Sequence, residues 1–144
     1  MTIASTMATL QLPEAVRAHL RSVVRAGYPN ETCGLLLGRA GSGWVRVHEA
    51  VAAENLNHER PGDRYELDPQ GHLRAEERAR ALGLTVVGVW HSHPDHSARP
   101  SETDRNGAWE GWSYLILSVT AEGVPDLRSW RLRGEHFEEE NLEP

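Results

Sequence analysis

Four residues whose types can do chemistry follow an apolar segment in the middle of the chain. The segment 86–90, VVGVW, is predicted to be a buried strand, and His91 and His93 stand at its end. In an extended chain these two side chains point to the same side, so both imidazoles can bind one metal ion. Ser101 then opens a predicted helix with Asp104 in its first turn. Two histidine nitrogens and one carboxylate oxygen are the ligand set of a catalytic zinc site whose fourth position is left to water.

Hydrolysis of an amide at such a site also needs a base and a donor to the developing oxyanion. Ser101 lies on the same side of the first helical turn as Asp104 and can present its hydroxyl to a carbonyl oxygen beside the metal. The base must come from elsewhere in the chain. Glu31 is the candidate, because it directly precedes the apolar segment TCGLLLG, whose packing would fix the carboxylate. Burial near a cation would tune its pKa for proton transfer.

The elements that must position these residues alternate between helix and strand. Apolar residues recur at helical spacing from Pro13 to Gly27, and Asp68 with Pro69 starts a second helix that ends at Gly83. The helix that Ser101 opens is expected to end near residue 111. Strands are predicted at about 9–12, 32–37, 44–51, 65–67, 86–93, 114–119 and 127–132. Helices and strands mix without internal repeats, so the expected fold class is α/β, a mixed central sheet flanked by helices.

Length and composition predict one soluble domain. The 144 residues form a single predicted domain, with residues 1–9 and 135–144 as loose termini. A net charge of -6 argues against a dominant surface for nucleic acid or anionic membrane. Cys33 is the only cysteine, which rules out an intramolecular disulfide and suits a reducing cytoplasm. No secretory signal pattern and no run long enough to span a bilayer are present, so we expect a cytoplasmic protein.

Taken together, these residues resemble the JAMM (MPN+) metalloprotease motif. The motif is carried by HSHP at 91–94, by Ser101 and Asp104, and by Glu31 just upstream of CGLLLG. The resemblance extends from about residue 10 to residue 130. It implies that His91, His93 and Asp104 bind one zinc ion with water as fourth ligand. It also implies that Glu31 acts as general acid and base through that water, and that Ser101 stabilises the oxyanion.

The same resemblance implies a fold and a class of partner. The family's JAB1/MPN fold is a mixed sheet with flanking helices, similar to that of cytidine deaminases. Family members cut isopeptide or peptide bonds after the C-terminal Gly-Gly of ubiquitin or ubiquitin-like proteins. In its length and in the segment RYELDP at 64–69, this chain is similar to small bacterial stand-alone members, which process ubiquitin-like sulfur carriers. The implied partner is therefore a small ThiS-like protein with a Gly-Gly tail, without nucleic acid or membrane, and a homodimer is one option.

Less specific interpretations stand beside these. Ser101 and Asp104 also fit a capping box that only stabilises a helix start. Glu31 can equally be a solvated carboxylate at the start of a strand. Asp95 and His96 lie in the loop after the histidine pair and are alternative ligands, although solvent-facing positions are favoured for both. The role of each of these residues depends on where the fold places it.

Other residues and other functions also have more than one interpretation. Cys33 is expected to be a small buried residue rather than a ligand. The aromatic cluster Trp109, Trp112 and Tyr114 is interpreted as core or cleft wall, with a platform for a peptide tail as the alternative. A metal-free MPN scaffold, a RadC-like protein linked to DNA and a zinc deaminase are the competing functions. The complete ligand set counts against the metal-free scaffold, and the acidic charge counts against the RadC-like protein. The lack of a cysteine pair counts against the deaminase.

Overall fold

The computed structural model describes residues 8–144, which form a closed seven-stranded barrel and three helices. The strands are β1 Thr9–Gln11, β2 Cys33–Gly41, β3 Trp44–Ala53, β4 Thr85–Pro94, β5 Ser113–Thr120, β6 Gly123–Arg133 and β7 His136–Glu143. The helices are α1 Glu14–Gly27, α2 Pro69–Ala81 and α3 Glu102–Asn106. Around the barrel the order is β1-β3-β2-β4-β5-β6-β7, and β7 pairs back onto β1. Parallel and antiparallel pairings both occur, so the predicted mixed α/β class is confirmed.

Residues 33–38 of strand β2 are buried on both faces, which explains the continuous apolar sequence of this part. Leu36 packs in the core that α1 covers, whereas Leu35 and Leu37 pack in the core that α2 covers. Its neighbours are β3 and β4, both antiparallel. Gly34 lies opposite Trp90, and a Cβ atom there would collide with the Val51 carbonyl and the Trp90 ring. The TCGLLLG segment is therefore fixed firmly beside the strand that carries the histidines.

The two long helices cover opposite faces of the sheet. Helix α1 packs with Val16, Leu20 and Val24 on the first core, and its bounds agree with the predicted 13–27. Helix α2 starts at the Asp68 cap, whose carboxylate accepts from the Gln70 amide at 3.0 Å, as the Asp-Pro pair predicts. No helix among residues 8–144 is long and apolar enough to cross a membrane.

Two predicted elements are shorter than expected. Helix α3 ends at Asn106 with Gly107 as its C-cap, not near residue 111. Glycine weakens a helix by about 1 kcal/mol relative to alanine, and here it stops one. The predicted strand at 65–67 is reduced to one isolated bridge between Asn55 and Leu67. This segment borders the site described below.

The C-terminal end corrects the sequence interpretation. Residues 135–144 were expected to be loose, but 136–143 form β7, which pairs with both β6 and β1. The glutamates of β7 form ion pairs with arginines of β6 on the neighbouring strand. The pairs are Arg128–Glu139 at 3.4 Å, Arg131–Glu140 at 3.2 Å and Arg133–Glu138 at 2.9 Å. At the other terminus, residues 1–9 were also expected to be loose, but Thr9 starts β1, which pairs with β3 on one side and β7 on the other. Residues 1–7 lie outside the described part of the chain.

Candidate active site

Pairing of β2 with β4 brings Glu31 beside the histidines. Cys33 lies opposite His91 in the antiparallel register. Just beyond it, the Ser92 amide donates to the Thr32 carbonyl at 2.9 Å, and the Thr32 amide donates to the Ser92 hydroxyl oxygen at 2.9 Å. Glu31 precedes this paired residue and is only 5% exposed. The sequence-distant carboxylate and the histidine strand are thus neighbours, as the fold was expected to make them.

Donor atoms converge at the end of β4. The Nε2 atoms of His91 and His93 lie 3.1 Å apart, and the Asp104 carboxylate lies 3.3 Å from the first and 3.0 Å from the second. Ligand atoms of Glu31, His91 and His93 also fall within 4.8 Å of one another. Zinc bonds of about 2.0–2.1 Å at tetrahedral angles separate ligand atoms by about 3.3 Å. The residues present therefore fit a small divalent cation.

Hydrogen bonds and stacking fix the two imidazoles. His93 Nδ1 lies 2.8 Å from the Ser97 carbonyl oxygen, to which its N–H donates. That bond directs the other ring nitrogen of His93 toward the donor cluster, as in many metal-binding histidines. The His91 ring stacks on Tyr65, with centroids 4.4 Å apart and planes 25° apart. Protein groups alone thus fix the orientation of both rings.

The charges of the cluster also suit a metal site. Burial acts to raise the pKa of Asp104, but hydrogen bonds from His91 and His93 outweigh it and hold that pKa well below its usual range. Burial lowers the pKa of His91, although its contact with Asp104 opposes this. Burial also acts to lower the pKa of His93, but its hydrogen bonds to Asp104 and Ser97 raise it overall. An ionised carboxylate and a neutral imidazole are the forms that bind metals, so Asp104 and His91 are already shifted toward the binding form, whereas His93 has to release a proton when it binds.

Glu31 differs from an ordinary carboxyl group. Burial raises its pKa to about 7, the positive charge of His93 opposes the shift, and the negative charge of Asp104 adds to it. A carboxyl that titrates near neutral pH can both take up and release a proton there. The interpretation of Glu31 as a solvated strand-end carboxylate is therefore wrong.

Ser101 lies beside the cluster through the start of α3. Its hydroxyl oxygen accepts from the Asp104 amide at 3.0 Å, and its own amide donates to the Asp104 carboxylate at 2.8 Å. This is the capping box that the sequence allowed. The cap uses the hydroxyl as an acceptor only, and the side chain is exposed, so its O–H is free to donate to a substrate. The cap and the catalytic role are compatible.

The alternative ligands lie away from the cluster. The Asp95 carboxylate accepts from the Tyr28 hydroxyl at 2.8 Å, and His96 is exposed. Cys33 is 1% exposed, with its sulfur 3.8 Å from the Ala53 carbonyl oxygen, and burial raises the pKa of its thiol to about 12. Cys33 is thus the small buried residue that the sequence predicted.

A cleft of about 360 Å³ opens next to Asp104. One wall is the segment 64–67, and the other carries Trp109, Trp112 and Tyr114. Trp109 is 71% exposed and stacks on Trp112, with centroids 6.2 Å apart. The cluster is therefore a cleft wall, and its outermost tryptophan presents an open face to solvent.

Sequence reasoning missed two residues of this region. The sequence predicted Tyr65 only as part of a short strand, yet its ring stacks on the ring of His91. Asn55 lies in a polar, turn-rich segment where no spacing marks it, yet its side chain contacts both Glu31 and the cleft wall. The RYELDP segment could have indicated a role for the tyrosine. No sequence pattern could have indicated Asn55, because its hydrogen-bond partners are backbone groups, which every residue has.

Comparisons with known proteins agree with the fold and the site. Residues 13–133 match the family model for prokaryotic homologs of the JAB domain. The desampylase of Haloferax volcanii is 34% identical over 127 residues, which cover 88% of this chain and 86% of that protein. The CysO-cysteine peptidase of Mycobacterium tuberculosis is 31% identical, with 84% and 78% covered. A solution structure from Desulfitobacterium hafniense superposes with a TM-score of 0.81 at 29% identity, covering 94% and 91%.

The family match accounts for the residues that were singled out in the sequence. It spans the strand with the histidine pair, the helix that bears Asp104 and the segment that starts at Glu31. The predicted resemblance to the JAMM motif is thereby confirmed, and the fold is the one this resemblance implied. The chain belongs to the family of prokaryotic homologues of the JAB domain and is a JAMM-type hydrolase.

Proposed function

We propose that this enzyme is a zinc-dependent peptidase or isopeptidase that cuts after the C-terminal Gly-Gly of a small ubiquitin-like, ThiS-like sulfur carrier. The observation that carries the proposal is the convergence of Glu31, His91 and His93 within 4.8 Å, with Asp104 at 3.0–3.3 Å from the histidines. Relatives that cover most of this chain are named desampylase and CysO-cysteine peptidase, and these names support a peptidase that acts on a protein conjugate.

The chain's own residues divide the chemistry among them. His91, His93 and Asp104 would hold the zinc ion, which supplies a Lewis acid when bound. Glu31 takes the proton from the attacking water and delivers it to the leaving nitrogen, because its buried carboxylate lies beside the histidines. Ser101 donates its O–H to the carbonyl oxygen of the scissile bond as negative charge develops there.

The cleft beside Asp104 suits an extended tail. The Glu66 amide donates to Asn55 Oδ1 and its carbonyl accepts from the Leu56 amide, so both backbone groups face away from the cleft. Successive residues of an extended chain present these groups to opposite sides, which turns those of Tyr65 toward the cleft. They have no hydrogen-bond partner among residues 8–144 and can pair with a tail as an added strand.

The requirement for glycine follows from the space near the histidines. The ring of Tyr65 stacks on His91 and narrows the approach to the donor cluster. Residues without a Cβ atom pass such a constriction at the lowest steric cost. Trp109 and Trp112 lie further along the same cleft, where bulkier residues of the tail can be accommodated.

The proposal is tested with a ThiS-like carrier that bears a short extension after Gly-Gly. Zinc-loaded protein is expected to release the extension, chelation to abolish release, and added zinc to restore it. A matched carrier with Ala-Ala in place of Gly-Gly should remain intact. Absence of cleavage by protein shown to contain zinc, or cleavage that survives chelation, would contradict the proposal.

A further inference from the structure

One amide side chain links the Glu31 peptide to the cleft wall. Asn55 Nδ2 donates to the carbonyl oxygens of Glu31 and Arg64, each at 3.1 Å. Its Oδ1 accepts from the amides of Asn57 at 3.0 Å and Glu66 at 2.9 Å. Both donors and both acceptor positions of the amide are therefore used.

These partners require asparagine at position 55. Two carbonyl oxygens lie on one side of the amide and two N–H groups on the other, so the orientation of the amide is fixed. Aspartate has the acceptors but no donors, and glutamine has the same groups on a longer stem. Asn55 is thus placed to set a distance between two backbone segments, a task that needs both halves of its amide.

The first of those segments is the Glu31 peptide. Its N–H donates to the Pro61 carbonyl at 2.6 Å, and its carbonyl accepts from Asn55. On the other side, Thr32 is bonded to Ser92 between the two histidines. The backbone of Glu31 is therefore held from both directions, and among residues 8–144 the bond from Asn55 is the one hydrogen bond that a side chain makes to it.

The second segment is the cleft wall. Asn55 binds the carbonyl of Arg64 and the amide of Glu66, which flank Tyr65. Tyr65 in turn covers His91 and offers its backbone groups to the cleft. Asn55 therefore connects the Glu31 peptide directly to the cleft wall.

We propose that Asn55 is a positioning residue for the hydrolysis. It holds the Glu31 peptide and the segment 64–66 at a fixed separation. The Glu31 carboxylate is thereby positioned next to the scissile bond of a tail that lies in the cleft. Asn55 itself contacts no reacting atom. This inference rests on the proposed function, and its test includes a readout that needs no substrate.

The kinetic test uses the full zinc-loaded chain. Asn55→Asp keeps the acceptor oxygen but loses both donors, and Asn55→Ala loses the whole network. Both are expected to lower kcat on the order of 10- to 100-fold, because a displacement of about 1 Å near a reacting centre costs that much. Zinc stoichiometry and circular dichroism should be unchanged. The control is Asn57→Ala, whose side chain accepts only from the Arg60 amide within the same loop, and it should react like the wild type.

The second readout is hydrogen–deuterium exchange of the metal-free protein. In Asn55→Ala, exchange should rise in peptides that contain Glu31 and residues 57–66, while β4 and β5 keep wild-type protection. Wild-type kcat in both Asn55 variants, or a rise of exchange over the whole barrel, would overturn the proposal. If the wild-type protein cuts no Gly-Gly carrier, the proposed function fails, and the exchange pattern alone decides whether Asn55 links the two segments.

Discussion

At the scale of single residues, the site depends on side chains whose ordinary properties are changed by burial. Glu31 is a carboxyl group with a pKa raised to about 7, and Asp104 stays ionised because two histidines contact it. The types and spacing of His91, His93, Ser101 and Asp104 were readable in the sequence, since all four lie within fourteen residues. The environment of Glu31 could not be predicted from the sequence, because the groups that bury it come from a distant loop and from another strand.

The buried carboxyl group predicts a pH-dependent stability of the metal-free protein. The pKa of Glu31 is raised in the folded state, so folding favours its protonated form. Stability is thus highest below the unfolded pKa and is lost as pH rises through about 7. Glu31→Gln should remove this loss and stabilise the protein at pH 8 by on the order of 2–3 kcal/mol. Urea unfolding at pH 5 and pH 8 measures the free energy of unfolding of the wild type and of the variant. If this free energy depends on pH equally in the two proteins, the burial argument is contradicted.

Cys33 is predicted to be unreactive in the native protein. Its thiol is 1% exposed and burial raises its pKa to about 12, so almost no thiolate exists at pH 8. Iodoacetamide should leave it unmodified in buffer and alkylate it fully in denaturant, as read by mass spectrometry. Full labelling of the native protein would show that β2 is more open than described.

At the scale of elements, the sequence predicted helices α1 and α2 and most strands because their patterns are regular. It misjudged β7, because a run of glutamates reads as a solvated tail until the arginines of β6 are placed opposite it. It also extended α3 past Gly107 to near residue 111, because glycines at both positions weaken a helix and the sequence did not show that the first already ends it. Those residues instead form the cleft wall. The exposed Trp109 therefore lies in the segment that follows the short helix and lines the cleft.

The exposed tryptophan predicts an effect on binding rather than on catalysis. Trp109 is 71% exposed, so Trp109→Ala removes a contact surface without opening the core. KM for the Gly-Gly carrier should rise about tenfold, corresponding to about 1.4 kcal/mol, with kcat nearly unchanged. The control is Trp44→Ala, which removes another exposed tryptophan outside this cleft. Equal KM values for both variants would remove Trp109 from the substrate surface.

At the scale of the whole molecule, the first and last strands close the barrel. Strand β7 joins β6 to β1, and Glu140 of β7 points inward, where Ser129 donates to it at 2.8 Å and Arg131 at 3.2 Å. Burying this carboxylate is tolerable only because both partners are present. The closure was not predictable from the sequence, since it needs the pairing of the first and last strands.

Loss of the buried carboxylate should therefore weaken the whole fold. Glu140→Gln leaves Arg131 without its charge partner and is expected to lower the free energy of unfolding by about 1–3 kcal/mol. Urea denaturation of the metal-free protein measures the change. Glu138→Gln is the matched control on the same strand, because its pair with Arg133 is solvent-exposed and worth under about 1 kcal/mol. Equal stability of the two variants would contradict the role given to Glu140.

The central claim is that the fold brings a distant carboxylate to the zinc ligands as the base of the reaction. The most direct test is the rate at which Glu31→Gln, at full zinc occupancy, cleaves a Gly-Gly-extended carrier. We predict a decrease of about 10²- to 10⁴-fold in kcat relative to the wild type, with zinc still bound by His91, His93 and Asp104. A zinc-loaded variant that retains the wild-type rate would contradict the account.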